Sequence, residues 1–304
     1  MQILITGGTG FIGSRLVRRL LRDGHRISVL SRQDAREVRR QLSTEVRPIA
    51  SVSAVNPSVA YDAIINLAGE GIMDKRWSRE RKRQLLDSRV GLTTELIDLI
   101  ERMENRPKRL ISGSAVGIYG SFDTLQEQTG GQDETAPHGK GFPAKLCFRW
   151  EQTALRAEQL GVRVCIVRTG VVLHPGGGAL SQMMPAFSFG LGGALGQGRQ
   201  MLSWIHMDDM IEALVHLLNH EEAEGFYNAT APLPVTNREF SLELAAVLGR
   251  PSFFTMPAPL LKMILGESSE MILKGQAAIP TRLQREGFSF QYPDLRSALD
   301  NLLK

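Results

Sequence analysis

Residues 2–13, QILITGGTGFIG, constrain the fold more than any other stretch of the chain. An apolar, β-rich run, Ile3-Leu4-Ile5-Thr6, meets Gly7, Gly8, Gly10 and Gly13, and an amphipathic helix follows from Phe11. Glycine lets a backbone turn sharply and approach a pyrophosphate with no Cβ in the way. The start of the helix adds N–H groups without intrahelical partners and a positive dipole end, which suit a phosphate. Spaced glycines between a strand and a helix are the context that dinucleotide binding requires. The segment predicts Gly7, Gly8, Thr9, Gly10, Phe11, Ile12 and Gly13 around the phosphates of a dinucleotide.

The rest of the chain continues the pattern. Ile12, Leu16, Leu20 and Leu21 form the apolar stripe of the first helix, which Asp23-Gly24-His25 ends. Arg26–Leu30 reads as a second strand and Ala63–Leu67 as a third, closed by Ala68-Gly69. Arg79–Met103 reads as one long helix and Arg109–Ser112 as a strand ending in Gly113-Ser114. Pro143–Leu160 reads as a helix with its proline in the first turn, and Arg163–Arg168 as the next strand. Strands alternating with helices imply right-handed crossovers and a parallel sheet. The predicted class is α/β: a Rossmann-like doubly wound parallel sheet over residues 1–170, then a smaller C-terminal α/β substrate lobe mostly within 171–304. In that second part Pro175–Gly178 and Gly190–Gly198 read as loops, Met207–Asn219 and Asn237–Leu248 as helices, and Pro251–Lys304 as a tail with two short helices. Some strands of this part have the option of returning to the main sheet.

Composition excludes several classes. Shares of 42% apolar and 22% charged residues decide against disorder. A net charge of +4 is too mild to argue for nucleic acid, though it suits an anionic ligand. No apolar run approaches the roughly 18–20 residues that span a bilayer. The N-terminus enters the glycine turn with no basic stretch before an apolar one, so no signal peptide, no membrane role and a cytoplasmic location are expected. Cys147 and Cys165 then read as two reduced, buried thiols. The six histidines show no metal-ligand spacing, and no Walker-type lysine follows the glycines.

The end of the second strand indicates the cofactor. An acidic residue there hydrogen-bonds ribose hydroxyls and favours NAD. This chain has Ser31-Arg32 instead. A hydroxyl and a guanidinium bind a 2′-phosphate, the latter through charge-assisted hydrogen bonds, so NADP(H) is the expected cofactor. Asp34 lies two residues on, within reach of a ribose.

The glycine turn, Asn66-Leu67-Ala68-Gly69, Ser112-Gly113-Ser114-Ala115, Tyr119-Gly120, Lys145 and Trp204-Ile205-His206-Met207-Asp208-Asp209 occur in that order. Together they resemble the extended short-chain dehydrogenase/reductase superfamily, which contains the nucleotide-sugar epimerases. More narrowly, LAGE at 67–70, KRW at 75–77, KLC at 145–147, RTGVVL at 168–173, GLGG at 190–193 and GESS at 266–269 resemble its atypical epimerase-family branch. The resemblance spans essentially the whole chain, including a segment at about 250–298 that the branch carries as an uncharacterised extra domain. It implies NADP(H) at the carboxyl ends of the strands. Gly7, Gly10 and Gly13 would cradle the pyrophosphate, and Ser31 and Arg32 would read the adenosine end. Leu67, Ala68 and Gly69 would line the adenine-to-ribose stretch, Arg89 would contact cofactor, and Val171 and Val172 would flank the nicotinamide.

The superfamily works with a Tyr-x-x-x-Lys pair and an upstream serine. The resemblance assigns the serine to Ser114, holding a substrate oxygen, and the lysine to Lys145, holding the nicotinamide ribose. Four residues before Lys145 stands Gly141, which has no side chain to exchange a proton. Three readings follow: a substitute side chain from among Tyr119, His138, Cys147 and His206, an ordered water, or no catalysis. The arginine that pairs a substrate diphosphate in nucleotide-sugar epimerases is replaced by Leu202, with Arg199 three residues away. Met183, Met184, Phe187, Phe189, Met201 and Trp204 read either as core or as a flexible apolar pocket. The expected partner is therefore a small-molecule substrate less polar than a nucleotide sugar; the sequence leaves the oligomeric state open, a homodimer included. Two functions fit: an NADP(H)-dependent oxidoreductase or epimerase-like enzyme, or a catalytically silent NADP(H)-binding protein that reports redox state.

Overall fold

In the computed structural model, which describes residues 1–124 and 131–304, strands β1 (Gln2–Thr6), β2 (Arg26–Leu30), β3 (Arg47–Ile49), β4 (Ala63–Asn66), β5 (Arg109–Ala115) and β6 (Arg163–Thr169) join one parallel sheet. The helices between them are α1 (Gly13–Arg22), α2 (Ala35–Gln41), α3 (Arg79–Leu86), α4 (Leu92–Arg102) and α5 (Phe142–Leu155). The second part of the chain supplies β7 (Val171–Leu173), α6 (Gly178–Ser188), β8 (Gly193–Leu195), β9 (Met201–Leu202), β10 (Trp204–His206), α7 (Met207–Asn219), β11 (Gly225–Ala229), β12 (Val235–Thr236) and α8 (Asn237–Val247). It ends with β13 (Phe254–Met256), α9 (Ala258–Leu265), α10 (Glu270–Leu273), α11 (Thr281–Arg285) and α12 (Leu295–Leu303).

The seven-stranded order is β11-β6-β5-β4-β1-β2-β3. The chain runs outward from β1 through β2 to β3, then crosses back to β4 on the other side. The direction of winding reverses between β1 and β4, and ligands of open α/β sheets bind outside the carboxyl ends at such a point. Alternation along each strand explains why both faces are covered. Ile3 and Ile5 pack with α1 and α7, while Leu4 packs on the opposite face with α4. Cys165 and Val167 divide from Val164 and Ile166 in the same way. A separate apolar cluster, built from Leu180, Phe187, Trp204, Phe240 and Leu299, holds α6, α8 and α12 together.

Several boundaries differ from the sequence reading. The long helix expected over Arg79–Met103 is interrupted by a π-helical turn at Asp87–Gly91, and hydrophobic periodicity does not register one inserted residue. The helix from Pro143 ends as α-helix at Leu155 and tightens into a 3-10 turn to Leu160. β5 continues through Gly113 and Ser114 to Ala115 because β6 pairs with it that far. The structure adds helices α2 and α6 and strand β3, and the tail holds four helices where the sequence predicts two. Strand β11 returns to the edge of the main sheet beside β6, and α7 packs on α1. Among the described residues no helix is long and apolar enough to cross a membrane.

Candidate functional site

The glycine turn is built by close approach. Gly7 has φ +70°, and a Cβ on it would stand 2.7 Å from the Leu67 carbonyl carbon. A Cβ on Gly13 would stand 2.1 Å from the Gly7 carbonyl oxygen. Real side chains fit neither place, so the first turn of α1 rests directly on the end of β1. No side chain caps α1 and no acidic residue occupies its first turn. That N-terminus is therefore left with its positive end toward the crevice. The Thr9 carbonyl accepts a hydrogen bond from Gln41 Nε2 at 2.8 Å, which ties the turn to α2. Phe11 packs on the loop after β7, since a Cβ on Gly177 would be 2.6 Å from its ring. Arg15, which sequence reading did not single out, donates to the Phe11 carbonyl at 3.0 Å and meets His174 Nδ1 at 3.0 Å. Burial, then the neighbouring Arg15 cation, hold His174 below its usual range.

At the end of β2, Ser31 is half-buried, and its Oγ accepts from the Gln33 amide at 3.2 Å. Arg32 is exposed. The nearby carboxylate is already engaged: Asp34 caps α2 by accepting from the Arg36 amide at 2.8 Å. Of the two charged side chains that sequence places here, the acid serves the helix and the base faces solvent.

Side-chain bonds fix the adjoining strand ends. Asn66 accepts from Thr6 Oγ1 at 2.7 Å and donates to Thr93 Oγ1 at 2.9 Å and Ser112 Oγ at 3.3 Å. The Ala68 amide donates to Thr6 Oγ1 at 3.3 Å. Leu67, Ala68 and Gly69 thus leave the sheet at a set angle. Arg89 comes from the π-helical turn and lies over Gly69, where a Cβ would be 2.9 Å from its Cζ. It donates to the Glu70 carbonyl at 2.8 Å, sits 5.4 Å from the Trp150 ring centre, and has its pKa lowered chiefly by burial. A π-turn is a common way to re-aim one side chain at a functional cleft. Val172 is core, whereas Val171 is half-buried with its amide donating to the Ser203 carbonyl at 2.8 Å.

The reacting side chains are arranged differently from the family pattern. Gly141 is the N-cap of α5 and has φ +93°, a conformation strained for any L side chain. The backbone itself therefore disfavours a tyrosine there. Lys145 is exposed on the first turns of α5. Ser114 is buried, and its hydroxyl donates to Glu151 Oε1 at 2.6 Å. Its only proton is thus engaged, and it presents lone pairs and no donor. Glu151 in turn holds Arg168 through two bonds of 3.0 Å, from Nε to Oε1 and from Nη2 to Oε2. Both partners are almost fully buried. Burial works against the Arg168 charge, but the Glu151 carboxylate outweighs it and the pKa rises.

Three of the four substitute acids are absorbed by structure. Tyr119 is buried, donates to Asn228 Oδ1 at 2.7 Å and accepts from Arg168 at 3.0 Å. Burial pushes its phenol up to about 12 despite the opposing Arg168 cation. Cys147 is a buried thiol raised to about 11 by burial, and Cys165 is raised to about 12. His206 caps α7 by accepting from the Asp208 amide at 3.0 Å, and its ring lies 3.9 Å from that of Tyr292 at a tilt of 32°. Burial holds it below its usual range. His138 is exposed, with its ring 4.8 Å from that of Phe148.

Sequence reading missed Glu151, Arg168, Asn228 and Glu134 as one unit. Asn228 donates to the carbonyls of Gln132 and Ile279, and the Glu134 carboxylate accepts from the amides of Asn228 and Arg282. The unit binds the C-terminal segment to the carboxyl end of the sheet. Its signal was an arginine closing an otherwise apolar strand, RVCIVR, which needs a buried partner. Of the methionines and aromatics that read as core or as pocket, Trp204, Met201 and Phe187 are buried, Met183 and Met184 pack on the cluster of Phe187 and Trp204, and Phe189 is exposed. A cavity of about 480 Å³ in this part is lined instead by polar and charged groups, Arg199, Gln200, Lys262, Glu270 and Lys274 among them. Leu202 packs in the lobe core, so the residue in the diphosphate-binding place makes no polar contact. Among the described residues no three His, Cys, Asp or Glu side chains cluster as a metal site.

The model of the NAD-dependent epimerase/dehydratase family matches residues 3–229, and a domain of unknown function, DUF1731, matches 256–302. The chain is 40% identical to the epimerase family protein SDR39U1 homolog, chloroplastic, of Arabidopsis thaliana over 100% of its own length and 87% of that protein. It is 38% identical to the epimerase family protein YfhF of Bacillus subtilis, over 100% and 98% of the two chains. Among solved structures, human epimerase family protein SDR39U1 (isoform 2) with NADPH superposes with a TM-score of 0.90 at 33% identity, covering 99% of each chain. A Rossmann-like sheet wound on both faces, a glycine turn at its switch point and a match that runs through the C-terminal segment place this chain in the NAD-dependent epimerase/dehydratase family, among the extended short-chain dehydrogenases/reductases.

Proposed function

We propose that this protein binds NADP(H) and acts as an oxidoreductase or epimerase-like enzyme on a small molecule that carries no diphosphate. The observation that carries the cofactor reading is the pairing at the end of β2. Asp34 is spent on the cap of α2, while Arg32 stands exposed beside Ser31. The residues fit the group: a cradle that a Cβ on Gly7 or Gly13 would fill, and a helix start with no capping side chain. Gly7, Gly10 and Gly13 would surround the pyrophosphate, with Thr9, Phe11 and Ile12 framing the turn. Leu67 to Gly69, Arg89 and Val171 would line the rest of the dinucleotide. Lys145 would hold the nicotinamide ribose.

When bound, the nicotinamide supplies or accepts a hydride. The chain's own contribution is binding and orientation. Ser114, whose proton is engaged by Glu151, would accept a hydrogen bond from a substrate hydroxyl instead of polarising a carbonyl. The relative solved with NADPH supports the choice of cofactor. Calorimetric titration of cofactor-free protein with NADPH and NADH tests it: NADPH is expected to bind and NADH to bind far more weakly. Arg32→Ala is expected to weaken NADPH by about 1.5–3 kcal/mol, the scale of a charged hydrogen bond, and to leave NADH unchanged. Equal loss for both removes the 2′-phosphate assignment.

A second reading, a catalytically silent NADP(H)-binding reporter, is favoured by one set of observations. Gly141 offers no acid, Ser114 has no free proton, and Tyr119 and Cys147 are held protonated in the interior. NADPH oxidation over a panel of small carbonyl compounds separates the two. Turnover supports the enzyme, whereas binding without turnover across the panel supports the reporter.

A further inference from the structure

Exposed large apolar side chains gather on one face of the second part of the chain. Phe189, Leu191, Phe253, Phe254, Met263 and Ile264 are each between 52% and 86% exposed. They come from three segments that the fold brings together. β13 pairs with β8, Phe254 opposite Gly193, and a Cβ on Gly190 would lie 3.5 Å from the Pro251 ring. α9 follows β13 directly; Leu261 is its buried contact, while Met263 on the opposite side and Ile264 beside Leu261 are exposed. Neighbouring exposed apolar side chains of this size are what marks an interaction surface on a soluble protein.

Charge decides what covers the face. Residues 188–200 and 248–265 contain Arg199, Arg250 and Lys262 and no aspartate or glutamate. A second copy would set these cations against their own kind. An anionic headgroup layer complements them while the phenylalanines and α9 enter the apolar boundary below. We infer that this face docks the protein on an anionic lipid bilayer surface. Among the described residues no helix is long and apolar enough to cross a membrane, so the contact is with a surface that rests in the headgroups. Lys262, which is exposed, and Ala258 also border the 480 Å³ cavity, so docking sets that cavity beside the bilayer.

Vesicle co-sedimentation of the full chain tests the inference. Vesicles of equal parts phosphatidylcholine and phosphatidylglycerol are expected to retain the protein, and phosphatidylcholine alone to retain far less. Phe253→Ser is expected to weaken retention about tenfold, and Arg250→Gln or Lys262→Gln about fivefold each. All four wild-type and variant proteins should share one thermal midpoint, since the substituted side chains are exposed. Equal retention of wild type and Phe253→Ser overturns the inference, as does no retention on either vesicle. A lipid-free dimer that Phe253→Ser dissolves, without vesicle binding, overturns it in favour of contact between copies.

Discussion

Replacing Glu151 by glutamine isolates the buried ion pair beneath the site. The carboxylate accepts from Ser114 at 2.6 Å and from Arg168 twice at 3.0 Å. Glutamine keeps one acceptor oxygen and turns the other position into a donor, so one N–H or O–H must face another. Arg168 is left charged and buried without its counter-ion. Removing one partner of such a pair costs about 3–5 kcal/mol. Arg168 retains the Glu134 carbonyl at 3.2 Å and the Phe226 ring at 4.3 Å, which places the expected loss near the low end, about 3 kcal/mol. At the usual unfolding entropy per residue that corresponds to a fall in thermal midpoint of roughly 5 °C for a chain of 304 residues. Urea denaturation followed by circular dichroism measures the free energy directly. The double replacement Glu151→Leu with Arg168→Met removes both charges and should recover most of the loss. A Glu151→Gln cost below about 1 kcal/mol, the scale of an exposed pair, refutes the reasoning. So does a double variant less stable than either single one.

Gly13→Ala puts a Cβ 2.1 Å from the Gly7 carbonyl oxygen, so it should displace the start of α1 and abolish NADPH binding by calorimetry; retained affinity would refute the close-approach role of this glycine. Neither thiol should react with a disulfide reagent at pH 8 in the native protein, because burial holds Cys147 at about 11 and Cys165 at about 12, whereas the unfolded chain should release both. Burial keeps His206 neutral in the fold, while the unfolded chain takes up a proton below about pH 6.5. The native state therefore binds fewer protons, and the associated stability is fully present above that pH and lost as pH falls. His206→Asn keeps a capping acceptor and should flatten the thermal midpoint's fall between pH 7 and 5; an equal or steeper fall would count against this origin. His174 shifts in the same direction, so part of the fall should remain.

Local pattern was enough for the elements that frame the glycine turn. A glycine between strand and helix has consequences within a few residues, and the alternation of Ile3, Leu4 and Ile5 already implies a sheet covered on both faces. Met207–Asn219 was readable to the residue because its apolar stripe is uninterrupted and Asp208 and Asp209 mark its first turn. The Arg79–Met103 stretch was not. A π-turn leaves apolar spacing almost unchanged yet rotates Arg89 onto Gly69. The missing tyrosine at Gly141 was also legible, but not that the backbone there sits at φ +93°.

What the sequence determined by itself was the class of fold, the glycine cradle and the charge at the end of β2, all of which depend on residues near one another in the chain. What only the tertiary structure decided was the state of each polar group. Tyr119 and Asn228, hydrogen-bonded to each other, are 109 residues apart, and a hydroxyl or carboxylate such as that of Ser114 or Glu151 becomes catalytic or structural according to which partner reaches it. Burial makes that choice costly to reverse, because an unpaired polar group away from water loses its hydration with nothing in return.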